Sequence, residues 1–332
     1  MPTPTETWIQ ELSAELRARR SALPGRRPVL RRTRGRIAVV TDAGCALPVN
    51  PDDGQLQLGI LGEHIEVVPL PVMIDSTPQQ GQMYPEYSAE LVRDLPLALA
   101  QGLPVRTSRP SPGRIAETYA RLHARGFAGV VSVHLSAKLS GTVDAARLAA
   151  EEAPVPVTVL DSRQAGLGLG QAVIEAAMTA RLGGTREEVE QAAESAAASS
   201  RSVFAVPSLE QLRRGGRINR LASILGSMMR VRPLLELRGG EIVLLERTHA
   251  MSRAVARMEE TAAEYAQTLT NPRLGVQCSG NPDQAAALAE QLQPLSSQTV
   301  PVIELPPGLA AHLGLGALGI SITEGPAPAA TG

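Results

Sequence analysis

From Arg36 onward, short β-branched runs alternate with longer Ala- and Leu-rich stretches, the pattern that a parallel sheet covered by helices requires. The spacing predicts strands at 36–42 (RIAVVTD), 65–74 (IEVVPLPVMI), 129–135 (GVVSVHL) and 155–161 (VPVTVLD). Helices are predicted over 112–126 and 142–153, and as a pair within 164–198. Thr185, with Glu188 three residues on, forms a capping box that opens the second of that pair. After Arg201 the order changes to a strand SVFAV, a short helix near Leu209, a glycine turn, a helix LASILGSMM and the hairpin strands VRPLLEL and EIVLLER joined by RGG. Helix 252–268, strand 273–278, helix 282–293, strand 299–304 and strand 318–323 follow. The expected fold class is α/β with two domains, since 332 residues is long for one core. An amino-terminal parallel sheet flanked by helices spans 36–200, and a second α/β domain with antiparallel elements spans 201–325.

Residues outside these limits read differently. Nine arginines fall between Arg17 and Arg36, so 1–35 is expected to be an Arg-rich extension, a solvated arm or, as the alternative, a docking arm for an acidic partner. Glu6, Glu11 and Glu15 set it apart from a transit peptide. The Pro/Ala-rich 326–332 is expected to be a disordered tail. A net charge of -1 gives no general attraction to nucleic acid, and no stretch is long and apolar enough for stable membrane insertion, so a cytoplasmic protein is expected. Cys45 and Cys278, the only cysteines, stand in no metal-ligand spacing, and neither a metal nor a nucleotide-binding glycine motif is indicated. Aromatic residues make up only 2%, so any apolar cavity must be walled by aliphatic side chains, which suit an alkyl chain better than a stacked ring.

Candidate chemistry collects in three places. Ser140, Gly141 and Thr142 follow a predicted strand and precede a helix, where backbone N–H groups and partial positive charge favour an anion; helix capping is the simpler alternative. TSRPSPG repeats that logic, with Thr107 and Ser108 ending a strand and Ser111 and Pro112 suiting an N-cap and first helical position. Two such strand ends in one parallel sheet would face one crevice. His312, in a predicted Gly-rich loop, would reach across and donate to the anion, while Gly215 and Gly216 permit a tight turn that presents Arg217. Asp42 and Asp161 each close a strand and read as caps.

These motifs, in this order, resemble the DegV family of fatty-acid-binding proteins. RIAVVTDAGCALP, VVPLPVMID, TSRPSPG, LSAKLSGTVDAA, VLDSRQAGLGLG, LEQLRRGGRI and HLGLGALG carry the likeness across about 36–325. The resemblance implies one long-chain fatty acid such as palmitate. Its carboxyl group would be held by Thr107, Ser140 and His312, with Ser108, Gly141 and Thr142 adjoining and Gly215, Gly216 and Arg217 as a supporting loop. The acyl chain would lie in a tunnel in the amino-terminal domain. It implies no catalysis and no cofactor in this chain, and presentation of the acid to a separate fatty acid kinase subunit that brings the ATP. Two positions depart from the family's usual pattern: Ala43 stands where Ser follows Thr-Asp, and His312 is followed by Leu-Gly-Leu-Gly in place of Thr-Gly-Pro-Gly. The rival reading is an acyl- or phosphoryl-transfer enzyme using Ser140 and His312, with Lys138, the only lysine, beside them.

Overall fold

The computed structural model describes residues 2–23, 35–50, 55–77, 80–218 and 231–327. Thr3 opens the first helix, α1 (Pro4–Ser21), as half of a capping box with Glu6, and Pro4 takes the first turn where its missing N–H costs nothing. Trp8, Leu12 and Leu16 recur every four residues, and all three are buried. The helix is bolted down by polar contacts as well. Thr5 Oγ1 donates to the Val302 carbonyl (2.7 Å), Glu11 accepts from the Thr299 N–H (2.8 Å), and Arg273, 4% exposed, lies between Glu15 (2.6 Å) and Glu175 (2.8 Å). The expectation of a solvated arm therefore fails for this segment: the arginines of α1 point outward or into ion pairs, and the apolar stripe between them docks on the core. Residues 24–34 lie outside the described residues.

The chain then runs through β1 (Ile37–Asp42), β2 (Ile65–Val68), β3 (Val72–Thr77), β4 (Gln80–Tyr84), α2 (Ala89–Ala100), β5 (Val105–Thr107), α3 (Pro112–Ala124), β6 (Gly129–His134), α4 (Thr142–Glu151), β7 (Val157–Asp161), α5 (Leu167–Arg181) and α6 (Arg186–Ser199). Next come β8 (Arg201–Ala205), α7 (Glu210–Arg214), β9 (Arg232–Arg238), β10 (Glu241–Thr248), α8 (Met251–Ala266), β11 (Pro272–Cys278), α9 (Pro282–Leu292), β12 (Val302–Glu304), α10 (Pro307–Leu313) and β13 (Leu318–Glu324). The predicted helix LASILGSMM falls outside the described residues.

Strands β2, β1, β6 and β7 form, in that order, an all-parallel sheet whose central strands β1 and β6 are buried on both faces and whose outer strands are partly buried. The period of two divides its core: Ile37, Val39, Val131 and Val133 pack with α1 and α5, while Ala38, Val40 and Val130 pack with α3 and α4. A six-stranded sheet follows in the order β10-β9-β8-β13-β11-β12, antiparallel except for the β11–β12 pair. Helices α8 and α9 cover one face through Met258, Ala262, Ala285 and Leu288.

The predicted strand 65–74 is two strands in two sheets. Pro69 and Pro71 cannot donate to a ladder, so β2 ends at Val68 and the chain turns into β3. β3 pairs antiparallel with β4 and β5 in a separate three-stranded sheet, with Val72 opposite Thr107. Thr107 thus does not end a strand of the parallel sheet, and the shared-crevice argument built on one sheet is corrected: the two hydroxyl motifs belong to different sheets. β4 and α2 had no counterpart in the sequence reading.

Candidate functional site

The loop after β6 is set by Asp42 at the end of β1, whose Oδ2 accepts from the Leu135 N–H (3.0 Å) while its Oδ1 accepts from the Gly44 N–H (2.9 Å). Ser136 Oγ then donates across to the Gly240 carbonyl (2.7 Å), tying this loop to the β9–β10 turn. That turn needs glycine at 240, because its φ is +84° and a Cβ there would stand 2.5 Å from Ser136 Oγ. Ser140 and Thr142 bond each other through their hydroxyls (2.8 Å), and the N-cap of α4 is Gly141, with no side-chain cap. Helix capping therefore does not account for Ser140. In the other motif Ser111 does cap α3, accepting from the Arg114 N–H (3.2 Å), with Pro112 at the first turn.

His312 sits in the last turn of a short helix, α10, and not in the expected loop. Pro306 and Pro307 start that helix and Gly314, at φ +80°, ends it. The helix has no local cap; its Gly308 N–H donates instead to Glu86 Oε1 (3.2 Å), while Glu86 Oε2 accepts from the Leu70 N–H. Burial pushes this Glu86 carboxyl up to about 8. Glu86 had gone unnoticed in the sequence, where it is one acidic residue among 33.

His312 Nε2 and Thr107 Oγ1 are 2.7 Å apart, bridging 205 residues of sequence. Burial, and then the nearby Arg217 guanidinium, push the imidazole down to about 4, so it is neutral at pH 7. Gly215 lies against the ring; a Cβ there would collide with Nδ1. Arg217 is held by the carbonyls of Leu139 (Nε, 3.2 Å) and Gly215, its charge disfavoured by burial. Gly216 takes the positive φ, +71°, of the turn between them.

These groups share one cavity. Thr107, Ser108, Arg109, Ser140, Arg217 and His312 form its polar lining together with Ser202 and Gln277, and the rest is aliphatic apart from Phe204. The space open to the centre of a water molecule is about 120 Å³. No acidic side chain lines it among the described residues. Gly141 and Thr142 adjoin Ser140 without lining the cavity, and Thr142 is fully buried. The apolar walls come mainly from beyond residue 200: Val203, Phe204, Leu237, Ile242, Leu318 and Ile320 belong to the six-stranded sheet. The resemblance had implied a tunnel in the amino-terminal domain; here the cavity lies against the sheet face turned away from α8 and α9, where Leu235, Leu237 and Ile242 pack with Leu212 of α7 and Ala310 of α10. Lys138 is exposed and turns to Glu241 (3.4 Å), away from Ser140 and His312, so the three do not assemble as a nucleophile and base.

A second, wider hollow of about 370 Å³ lies between α2 and the Pro306–Pro307 turn, with Leu47, Val92 and Leu315 among its walls. Glu304, its one carboxylate, is already engaged by Cys278 Sγ and the Gly280 N–H. Convergent free polar groups mark the smaller cavity as the candidate site.

The polar end of this apolar cavity thus carries hydroxyls, a neutral imidazole and guanidinium groups, with no carboxylate among the described lining residues. The family model that matches residues 36–325 is that of the DegV family, described as an uncharacterised protein family, and the chain belongs to it. A DegV domain-containing protein of Streptomyces coelicolor is 40% identical over 296 residues, 87% of this chain and 98% of that one. A DegV family protein from Thermus thermophilus, described for its fatty acid binding, is 31% identical and superposes with a TM-score of 0.76, covering 87% of this chain and 99% of that one. DegV from Bacillus subtilis, described as a fatty acid binding protein, is 26% identical with a TM-score of 0.73, over 87% and 99% of the two chains. The matched region begins after α1.

Proposed function

We propose that this chain binds one long-chain fatty acid, with the carboxyl group among Thr107, Ser140 and His312 and the tail along the face of the six-stranded sheet turned away from α8 and α9. The observation that carries this reading is the Thr107–His312 pair at the polar end of a mainly aliphatic cavity with no acidic lining among the described residues. With its proton on Nε2, neutral His312 donates to Thr107 Oγ1 and leaves the threonine proton free for a ligand oxygen. At about 0.8 kcal/mol per buried CH₂, roughly fourteen methylenes contribute on the order of 11 kcal/mol before association costs, so the tail dominates affinity and the head sets orientation.

The chain is non-catalytic in this reading and needs no cofactor. It acts in the cytoplasm; among the described residues no helix is long and apolar enough to cross a membrane. A separate fatty acid kinase subunit would act on the carboxyl end, where Ser108 is exposed, and would bring the ATP for which this sequence has no glycine motif. The test is native mass spectrometry of the purified protein, followed by extraction of whatever it carries. A stoichiometric C14 to C18 acid is expected. Thr107→Ala and Ser140→Ala should each weaken binding by about 5- to 150-fold, the 1–3 kcal/mol cost of unpairing a buried polar group. A protein that neither carries nor takes up fatty acid overturns the reading.

A further inference from the structure

Arg109 lines the cavity two residues after Thr107. Its backbone is fixed on both sides: the Ser108 N–H donates to the Pro71 carbonyl (3.0 Å), and Ser111 caps α3. Its side chain lies across Gly141, where an added Cβ would stand 2.9 Å from Nη1 and 3.0 Å from Cδ. The glycine in the Ser-Gly-Thr motif lets this exposed side chain lie directly against the amino end of α4, and a methyl group there would shift it.

The electrostatics of that position are one-sided. Arg109 makes no hydrogen bond or ion pair among the described residues, and it rests on the amino end of α4, itself partially positive. Arg217 stands at the same end of the cavity, bonded to two carbonyls and to no carboxylate, and close enough to depress His312. Two guanidinium groups and a helix amino end thus converge with no negative group in the lining. Arg109 is exposed, so water and salt screen its repulsion from Arg217, and a carboxylate held beside it gains a charge-assisted contact that a neutral head does not.

We infer that Arg109 is the residue that makes the cavity select an ionised long-chain carboxylate over neutral acyl heads such as the alcohol. This rests on the proposed fatty-acid function and names the ionic state that function takes. The hydroxyls of Thr107 and Ser140 bond an alcohol as readily as a carboxylate, so they set orientation without distinguishing the two heads; only a fixed charge does.

The experiment titrates delipidated protein with palmitate and with 1-hexadecanol at pH 8, for wild type, Arg109→Gln and Gly141→Ala. Arg109→Gln is expected to weaken palmitate by about tenfold, less at high salt, and to leave hexadecanol within about twofold. Gly141→Ala, which keeps every hydroxyl and displaces the guanidinium, should reproduce the selective loss. Equal losses for both ligands, or an unchanged palmitate affinity in Arg109→Gln, would overturn the assignment while leaving fatty-acid binding intact. Wild-type protein that takes up neither ligand overturns the binding reading itself, and this inference with it.

Discussion

His134 and His312 each hydrogen-bond a side-chain hydroxyl, yet their surroundings are opposite. His134 Nδ1 lies 2.9 Å from Asp42 Oδ2, its Nε2 lies 2.8 Å from Ser132 Oγ, and Tyr119 OH donates to that same Ser132 oxygen (2.9 Å). Acid, imidazole and serine stand in the order of a nucleophilic triad. All four residues, however, are completely buried, and the donors of Tyr119, Ser132 and His134 are all taken up within the series. His312 has no acid partner among the described residues and a less perfect bond network, but it opens on a cavity. Hydrogen-bond geometry alone does not make a site; access and unspent bonding capacity do. The enzyme-like constellation here is architecture: through Asp42 it fixes the start of the Leu135–Ser140 loop that carries the proposed carboxyl ligand Ser140.

The strongest way to break this contrast is to remove one residue from each side. Asp42→Ala leaves His134 Nδ1 and the Leu135 and Gly44 N–H groups without their acceptor in a fully buried place. A loss of about 3–5 kcal/mol is expected, read as a fall in urea midpoint or as failure to fold. His312→Ala should leave the midpoint nearly unchanged and weaken fatty-acid binding by about 5- to 150-fold. If the two variants showed the same pattern, the division between architecture and site would be wrong.

A smaller effect is expected behind the imidazole. Gly215 has ordinary right-handed backbone angles, so alanine is tolerated there on conformational grounds. Its methyl group would meet His312 Nδ1 and push the ring off Thr107. Gly215→Ala should therefore weaken fatty acid by about tenfold with little change in melting temperature, as calorimetric titration would show. Unchanged affinity would mean the ring has slack and that the glycine serves the turn alone.

The same contrast explains what the sequence could reveal. The alternation of strands and helices, the Thr185 capping box and the Ser111–Pro112 helix start are local patterns, legible because their causes lie within a few residues. The break at Pro69 and Pro71 was visible too, but the apolar run on either side outweighed it. Trp8, Leu12 and Leu16 form a helical stripe that the neighbouring arginines disguised as a solvated arm. Thr107, Ser140 and His312 were named from motifs and from the resemblance, whereas their shared cavity is tertiary: β5 and α10 meet across 205 residues. Asp42 and His134 are 92 residues apart, so their bond left no trace in spacing. Arg109 was in plain view within TSRPSPG. Its meaning comes from what the fold withholds, a counter-charge, and absence in space has no signature in one dimension.

The smallest expected effect concerns protonation. Burial lowers both His64 and His312 from 6.5 to about 4, His64 with its Nδ1 3.0 Å from the Ile37 carbonyl and arginines nearby. A depressed folded-state value means that the stability tied to the neutral ring is complete above pH 6.5 and is lost as the pH falls through about 4. For His312, half-open to the cavity, the loss should be on the order of 1 kcal/mol after solvent screening. His312→Gln should flatten the fall in denaturation midpoint between pH 6.5 and 4 by that amount, and His64→Gln should flatten it further. Bound fatty acid adds a test that separates the two rings. A carboxylate beside His312 favours the charged imidazole, so saturating ligand should recover the His312 share of the loss and leave the His64 share untouched. Equal recovery at both rings would mean that the ligand stabilises the whole fold and that its charge does not face His312.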